Sequence, residues 1–203
     1  MIDTIFFDLM GVLLFPKGNF EAGELADEID RQIGKVTNDV LFKEETLHRY
    51  QLRDDEFSQL LQTIADKYEP YIPLWELLPR LKKHYKLGII NNGTYLTYPL
   101  FEERYHLSQR FDVFISSALE GICKPDPAIY RLACQKLGSQ PLNCLFMDDS
   151  AENIMGAQQA GVQTIHWSSK EQGFQEFEKY IHHVTKAANT ASQTNEPITS
   201  ETR

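Results

Sequence analysis

Thr4-Ile5-Phe6-Phe7-Asp8-Leu9-Met10-Gly11-Val12-Leu13-Leu14 is the stretch whose reading decides the fold. Three apolar residues run straight into a carboxylate, and a glycine follows three positions after it. A run rich in Ile and Phe, without polar alternation, suits a strand buried on both faces of a parallel sheet. Asp8 then falls where that strand ends, at the edge where open α/β sheets gather their ligands. Packing alone does not leave a carboxylate there, because an unpaired buried charge is costly. A lone Asp at this place also serves as a helix cap, so the ends of the later strands decide what Asp8 is for.

The 203 residues allow one domain of ordinary size with a modest insertion. An apolar content of 42% can fill a core. The net charge of −9 argues against nucleic acid or an anionic membrane as a partner, since either needs a basic face. Small anionic substrates stay open, because one local cluster of donors can bind them. Cys123, Cys134 and Cys144 are odd in number and lack metal-ligand spacing, which reads as reduced thiols in a cytoplasmic protein. Asp3 and Asp8 interrupt the apolar N-terminus where a signal peptide needs a basic start and an unbroken apolar run. No other run approaches a membrane span.

After Leu14, Phe15-Pro16-Lys17-Gly18-Asn19 reads as a turn. Residues 20 to about 68 carry a helical pattern. Leu25, Ile29 and Ile33 share a face, and Leu41, Leu47 and Tyr50 follow less strictly. Asp54 and Asp55 cap a further run with Phe57, Leu60, Leu61 and Ile64. No strand signal interrupts this segment, so it is either a long helical crossover or a cap over the sheet's carboxyl edge. Another helix is expected over 74–84, with Pro79 kinking or restarting it. Strands are then expected at 87–90, 113–116, 144–147 and 162–167, alternating with helices at 98–106, 127–137, 151–160 and 174–184. Asp126, Pro127 and Gly138 supply the cap, first position and stop of one of those helices. From Thr185 no apolar face remains, and the chain reads as a disordered tail. The alternation implies an α/β fold, a parallel sheet with right-handed crossovers and helices on both faces.

Such a sheet brings Asp8, Asn91-Asn92-Gly93, Lys124 and Asp148-Asp149 to one edge, each expected at the end of a separate apolar strand. Singly they are a cap, a turn, a surface lysine and a capping pair. Together they suggest phosphoryl transfer. Three carboxylates in one pocket repel one another unless a cation sits between them. Mg²⁺ suits this oxygen-only set, since it takes a few oxygens and keeps several waters. Lys124 can hold a phosphate oxygen as a point charge, and backbone N–H groups of Asn92 and Gly93 can complete a cradle. A carboxylate such as Asp8 can act as nucleophile and split hydrolysis into two easier displacements.

The pattern resembles the haloacid dehalogenase-like hydrolase superfamily over about residues 1–170. The first motif is Phe7-Asp8-Leu9-Met10-Gly11-Val12-Leu13, and the second is Ile89-Ile90-Asn91-Asn92-Gly93. Gly121 to Lys124 with Pro125-Asp126-Pro127 is the third. Phe146-Met147-Asp148-Asp149-Ser150-Ala151-Glu152-Asn153 is the fourth, with Ala157, Ala160 and Gly161 downstream. The resemblance implies a Rossmann-like core, residues 1–15 and 71–184, with a small α-helical cap at 16–70 and a tail at 185–203. It implies that Asp8 forms an aspartyl-phosphate, with Mg²⁺ held by Asp8, the Met10 carbonyl and Asp149. By the same resemblance Asp148 supports the metal directly or through water. Lys124 steadies nucleophile and phosphate, Asn91, Asn92 and Gly93 bind phosphate, and Asn153 orders the fourth loop.

Two positions depart from the family pattern. The phosphatases usually carry a second Asp two residues after the nucleophile, as general acid and base, and here it is Met10. The metal loses nothing, since that position offers its backbone carbonyl, but the missing acid/base is worth about 10²–10⁴ in rate, or roughly 3–6 kcal/mol. The second motif usually offers Ser or Thr, and here it is Asn91. The expected activity is Mg²⁺-dependent hydrolysis of a small phosphorylated metabolite. A catalytically weak or silent binding protein of the same family and a 2-haloacid dehalogenase are the alternatives.

Overall fold

The computed structural model describes the backbone of residues 1–193 and the side chains of residues 1–182. The chain opens with β1 (Thr4–Phe7) and a three-residue β2 (Leu14–Pro16). The helices α1 (Glu24–Ile33), α2 (Asp39–Tyr50) and α3 (Asp54–Asp66) follow, and then β3 (Tyr68–Pro70) pairs antiparallel with β2. After α4 (Ile72–Leu81) come β4 (Lys86–Asn91), α5 (Tyr98–Tyr105), α6 (Leu107–Arg110), β5 (Val113–Ser116) and α7 (Ser117–Glu120). The chain continues through α8 (Pro127–Lys136), β6 (Cys144–Asp148), α9 (Ala151–Gln159), β7 (Gln163–His166) and α10 (Lys170–Gln193). Among the described residues no helix is long and apolar enough to cross a membrane.

The main sheet is five-stranded in the order β5-β4-β1-β6-β7, and every neighbouring pair is parallel. β1 lies at its centre, with Phe7 in register with Ile89 on one side and Met147 on the other. Side chains alternate between faces, as the pleat requires. Ile5, Phe7, Leu87, Ile89, Leu145 and Met147 join one core with Leu78 and Phe177, from α4 and α10. Phe6, Ile90, Ile115 and Phe146 join a second with Ile129 and Ala133 of α8 and Ala157 of α9. Both faces are therefore covered, which is why β1 reads as an unbroken apolar run. Truncating a fully buried ring such as Phe6 to alanine costs about 3–5 kcal/mol.

Several details differ from the sequence expectation. The two-stranded sheet of β2 and β3 replaces an expected turn, because three residues are too few to display a period of two. On α2 the inward positions are Phe42 and Thr46, while Leu41 is 54% exposed. α4 runs through Pro79, and the hydrogen bond from Lys82 N–H to the Leu78 carbonyl, 2.9 Å, carries the helix past it. The short helices α6 and α7 were not expected, and neither spans enough residues to show a helical stripe. α10 continues to Gln193, so the part of the expected tail from 185 to 193 is helical. Its alanines and lysine favour helix without an apolar face. Residues 194–203 lie outside the described residues.

The layer of α1–α3 is tied to the sheet edge by polar contacts. Asp39 at the start of α2 accepts from Tyr95 N–H at 3.1 Å and from the Thr94 hydroxyl. Ser117 Oγ donates to the Val36 carbonyl between α1 and α2 at 2.6 Å. Just after α3, Tyr105 OH of α5 donates to the Tyr68 carbonyl of β3 at 2.8 Å.

Candidate active site

Asp8 follows β1 directly, and its N–H still donates to the Met147 carbonyl of β6 at 2.8 Å. This backbone bond places Asp8 at the carboxyl end of β1, beside β6. Lys124 reaches the same point by a different route from the one expected. β5 ends at Ser116, and α7 and a loop intervene before the lysine. Asn92 draws that loop back to the sheet. Asn92 Oδ1 accepts from Lys124 N–H at 2.8 Å, and Asn92 Nδ2 donates to the Lys124 carbonyl at 2.9 Å.

The Lys124 ammonium donates to Asp8 Oδ1 at 2.7 Å and to Asp148 Oδ2 at 2.8 Å. All three residues are buried, Lys124 at 4%, Asp8 at 7% and Asp148 at 0% exposure. Burial alone pulls an ammonium down, but Asp8 and Asp148 outweigh it and push Lys124 above its ordinary value. Burial pushes Asp8 up to about 7, with help from Asp148 and against the pull of Lys124. Asp149 is also raised, by burial first and then by Asp148. One ammonium does not balance three carboxylates.

The carboxylates have different work to do. Asp148 is saturated: Oδ2 takes Lys124, while Oδ1 accepts from Ser150 N–H at 2.8 Å and Asn153 Nδ2 at 2.9 Å. It is a brace, with little left to offer a ligand directly. Asn153 is in turn held where Tyr130 OH donates to its carbonyl at 2.7 Å. Asp8 accepts two hydrogen bonds, from Leu9 N–H and Lys124, and both fall on Oδ1. Among the described residues Oδ2 accepts none. A ligand atom from each of Asp8, Asp148 and Asp149 lies within 4.8 Å of the others, an oxygen-only set suited to a hard divalent cation. Gly11 makes room for this arrangement. Its φ is +89°, and the Asp149 carboxylate occupies the space a Cβ would need.

A cavity of about 290 Å³ opens on the group, lined by Asp8, Met10, Asn91, Asn92, Lys124 and Asn153 on the sheet side. Ile33, Ile64 and Phe101 add apolar surface. Asn91 ends β4 in the strand itself, in register with Ser116, and not in the turn that follows. Gly93 is committed elsewhere, because its N–H donates to Ser117 Oγ at 2.8 Å. Sequence reasoning missed Asp30 and Tyr68, which also line the cavity. The available signal was Asp30 itself, a carboxylate three residues before Ile33 on the inward face of α1.

A five-stranded parallel sheet covered by helices on both faces, with a lysine bridging two buried carboxylates at its carboxyl edge, defines a Rossmann-like α/β core. The chain belongs to the haloacid dehalogenase-like hydrolases: residues 2–161 match the family described as "Hydrolase: haloacid dehalogenase-like hydrolase". It is 43% identical over 73 residues to mouse acyl-CoA dehydrogenase family member 10, a match covering 36% of this chain and 7% of that protein. It is 31% identical over 111 residues to pyrophosphatase PpaX of Bacillus cereus, covering 53% of this chain and 51% of the relative. The (S)-2-haloacid dehalogenase of Pseudomonas putida is 29% identical over 144 residues, 70% of this chain and 62% of that one. The chain thus spans less than two thirds of the length of each of these relatives. Among solved structures, a HAD family enzyme of Bacteroides thetaiotaomicron in complex with magnesium and inorganic phosphate superposes with a TM-score of 0.67 at 19% identity. That match covers 82% of this chain and 94% of the other, and it shows the fold.

Proposed function

We propose that this chain is a Mg²⁺-dependent hydrolase of a small phosphorylated metabolite, with Asp8 as nucleophile. The observation that carries the reading is the Lys124 bridge, which fixes Asp8 through Oδ1 while Oδ2 has no hydrogen-bond partner among the described residues, on a side chain that lines the cavity. Asp8 attacks phosphorus, the bond to the leaving oxygen breaks, and an aspartyl-phosphate forms. Water then releases the phosphate and restores the carboxylate. Lys124 holds nucleophile and phosphoryl oxygen, with Asn91 and the Asn92 backbone as further phosphate contacts. Mg²⁺ would be held by Asp8, the Met10 carbonyl and Asp149, with Asp148 behind them, and would supply neutralisation of phosphoryl charge. Residues 16–70 act as the cap that closes the cavity and limits water. Reduced cysteines and an acidic surface fit a cytoplasmic protein with neither nucleic acid nor membrane as partner.

Met10 leaves the leaving oxygen without a proton donor at the family's usual place. Dehalogenation is the second reading, favoured by that missing acid and by the dehalogenase relative. One experiment separates the two: a phosphate-ester panel and 2-chloropropionate, each with Mg²⁺ and with a chelator. Phosphate release that needs Mg²⁺ supports the proposal, and chloride release that ignores the chelator replaces it.

A further inference from the structure

One wall of the cavity carries a group that the proposed hydrolysis does not use. Asp30, on α1, lines the cavity beside Tyr68. Tyr68 OH donates to Asp30 Oδ2 at 2.7 Å, and Lys67 Nζ donates to the same oxygen at 2.8 Å. Among the described residues Asp30 Oδ1 has no hydrogen-bond partner, although the side chain is 13% exposed. Two donors on one oxygen fix the carboxylate's orientation and leave the other oxygen as an acceptor. Ile33, Ile64 and Phe101 supply an apolar surface of the kind that covers a carbon skeleton.

We infer that Asp30 is a specificity-determining residue whose Oδ1 accepts a hydrogen bond from a hydroxyl on the leaving group, so that the substrates are phosphate esters of small polyols or sugars. This rests on the proposed function, which places the phosphate at Asp8 and Lys124. The cavity's 290 Å³ lies at the low end of small-molecule sites, typically about 300–1,000 Å³, which suits a compact alcohol. Lys67 is shared between Asp30 and Asp27, at 2.8 and 2.9 Å, so an amine analogue separates a preference for positive charge from recognition of a hydroxyl. An alkyl ester would leave Oδ1 dry and unpaired, the arrangement by which sites reject analogues lacking a hydroxyl.

The test uses phosphonates, whose C–P bond survives whatever hydrolysis the chain performs. 3,4-Dihydroxybutylphosphonate, butylphosphonate and 4-aminobutylphosphonate are titrated calorimetrically into the wild-type chain with Mg²⁺. The dihydroxy compound is expected to bind at least about 10-fold more tightly than butylphosphonate, the range of a hydrogen bond to a charged group. Asp30→Ala should bring that ratio close to one while butylphosphonate binding reports that the fold persists. Tyr68→Phe, which loosens Asp30 without removing it, should give an intermediate ratio. Equal affinities in the wild type, a preference for the amine, or an unchanged ratio in Asp30→Ala would each overturn the inference. Phenyl phosphate hydrolysis is followed in parallel. Turnover without a hydroxyl preference removes this inference alone, and a hydroxyl preference without turnover removes the hydrolase reading alone.

Discussion

Asn92 clasps the backbone of Lys124 from both sides, accepting from its N–H at 2.8 Å and donating to its carbonyl at 2.9 Å. The side chain of a residue after β4 thereby sets the position of a lysine that is 32 residues away in sequence. Asn92→Ala should cost about 1–3 kcal/mol for two lost hydrogen bonds. Its effect on turnover should be larger than on folding, because Lys124 then samples positions away from Asp8. Thermal unfolding and phosphate-release kinetics on the same preparation check this. A rate loss no greater than the fall in folded fraction would contradict it.

Asp149 is the carboxylate with most freedom to ligate. Mg²⁺ at about 100 times its Kd should stabilise the wild-type chain by about 2.7 kcal/mol. Asp149→Asn should remove most of that gain, and so should Gly11→Ala, whose methyl group enters the space of the Asp149 carboxylate. Asp54→Asn, on α3, should keep it. Melting temperatures with and without Mg²⁺ decide, and equal Mg²⁺ shifts in wild type and Asp149→Asn would remove Asp149 from the ligand set.

The elevated Asp8 gives a pH dependence with a definite sign. Burial raises its carboxyl from 3.8 to about 7, so between those values the folded chain holds a proton that the unfolded chain has lost. Without metal, this group's contribution to stability therefore declines as pH rises through that window. Metal binding needs the ionised form and releases the proton. Apparent Mg²⁺ affinity should climb from pH 5 to about pH 7 and then level off, with proton release measurable by calorimetry in buffers of different ionisation enthalpy. An affinity independent of pH across this range would mean that Asp8 does not bind the metal.

Met10 predicts a steep dependence on the leaving group. With no acid at that place, aryl and acyl phosphates should outpace alkyl phosphates. Met10→Asp should speed alkyl esters far more than acyl ones, within the about 10²–10⁴ range of general-acid catalysis. The backbone carbonyl is unchanged by the substitution. A flat leaving-group profile in wild type would mean that the proton comes from another residue or from the substrate.

Asp8, Asp148 and Asp149 are legible in the sequence because each closes an apolar run, and a run of that kind has few places to go but the centre of a sheet. Lys124 is legible as a member of the site but not by its route. Its approach depends on α7 and on Asn92, contacts between segments that no local period encodes. The commitment of Gly93 N–H to Ser117 is hidden for the same reason. Asp30 escaped because helical periodicity ranks residues by apolarity, and a carboxylate on an inward face is noise to that measure. Its meaning appears once Tyr68 and Lys67 are seen on one of its oxygens.

Ser117 has a position whose effect reaches beyond its own hydrogen bonds. Its hydroxyl accepts from Gly93 N–H and donates to the Val36 carbonyl, so one oxygen joins the loop after β4 to the turn between α1 and α2. The helices over the cavity cannot lift away as a body without withdrawing a partner from that loop. Ser117 therefore couples the position of the Val36 turn to that of the Gly93 loop, next to Asn91 and Asn92. A change that displaced either segment would be felt by the other through this one oxygen, and by linkage the effect would run equally in both directions.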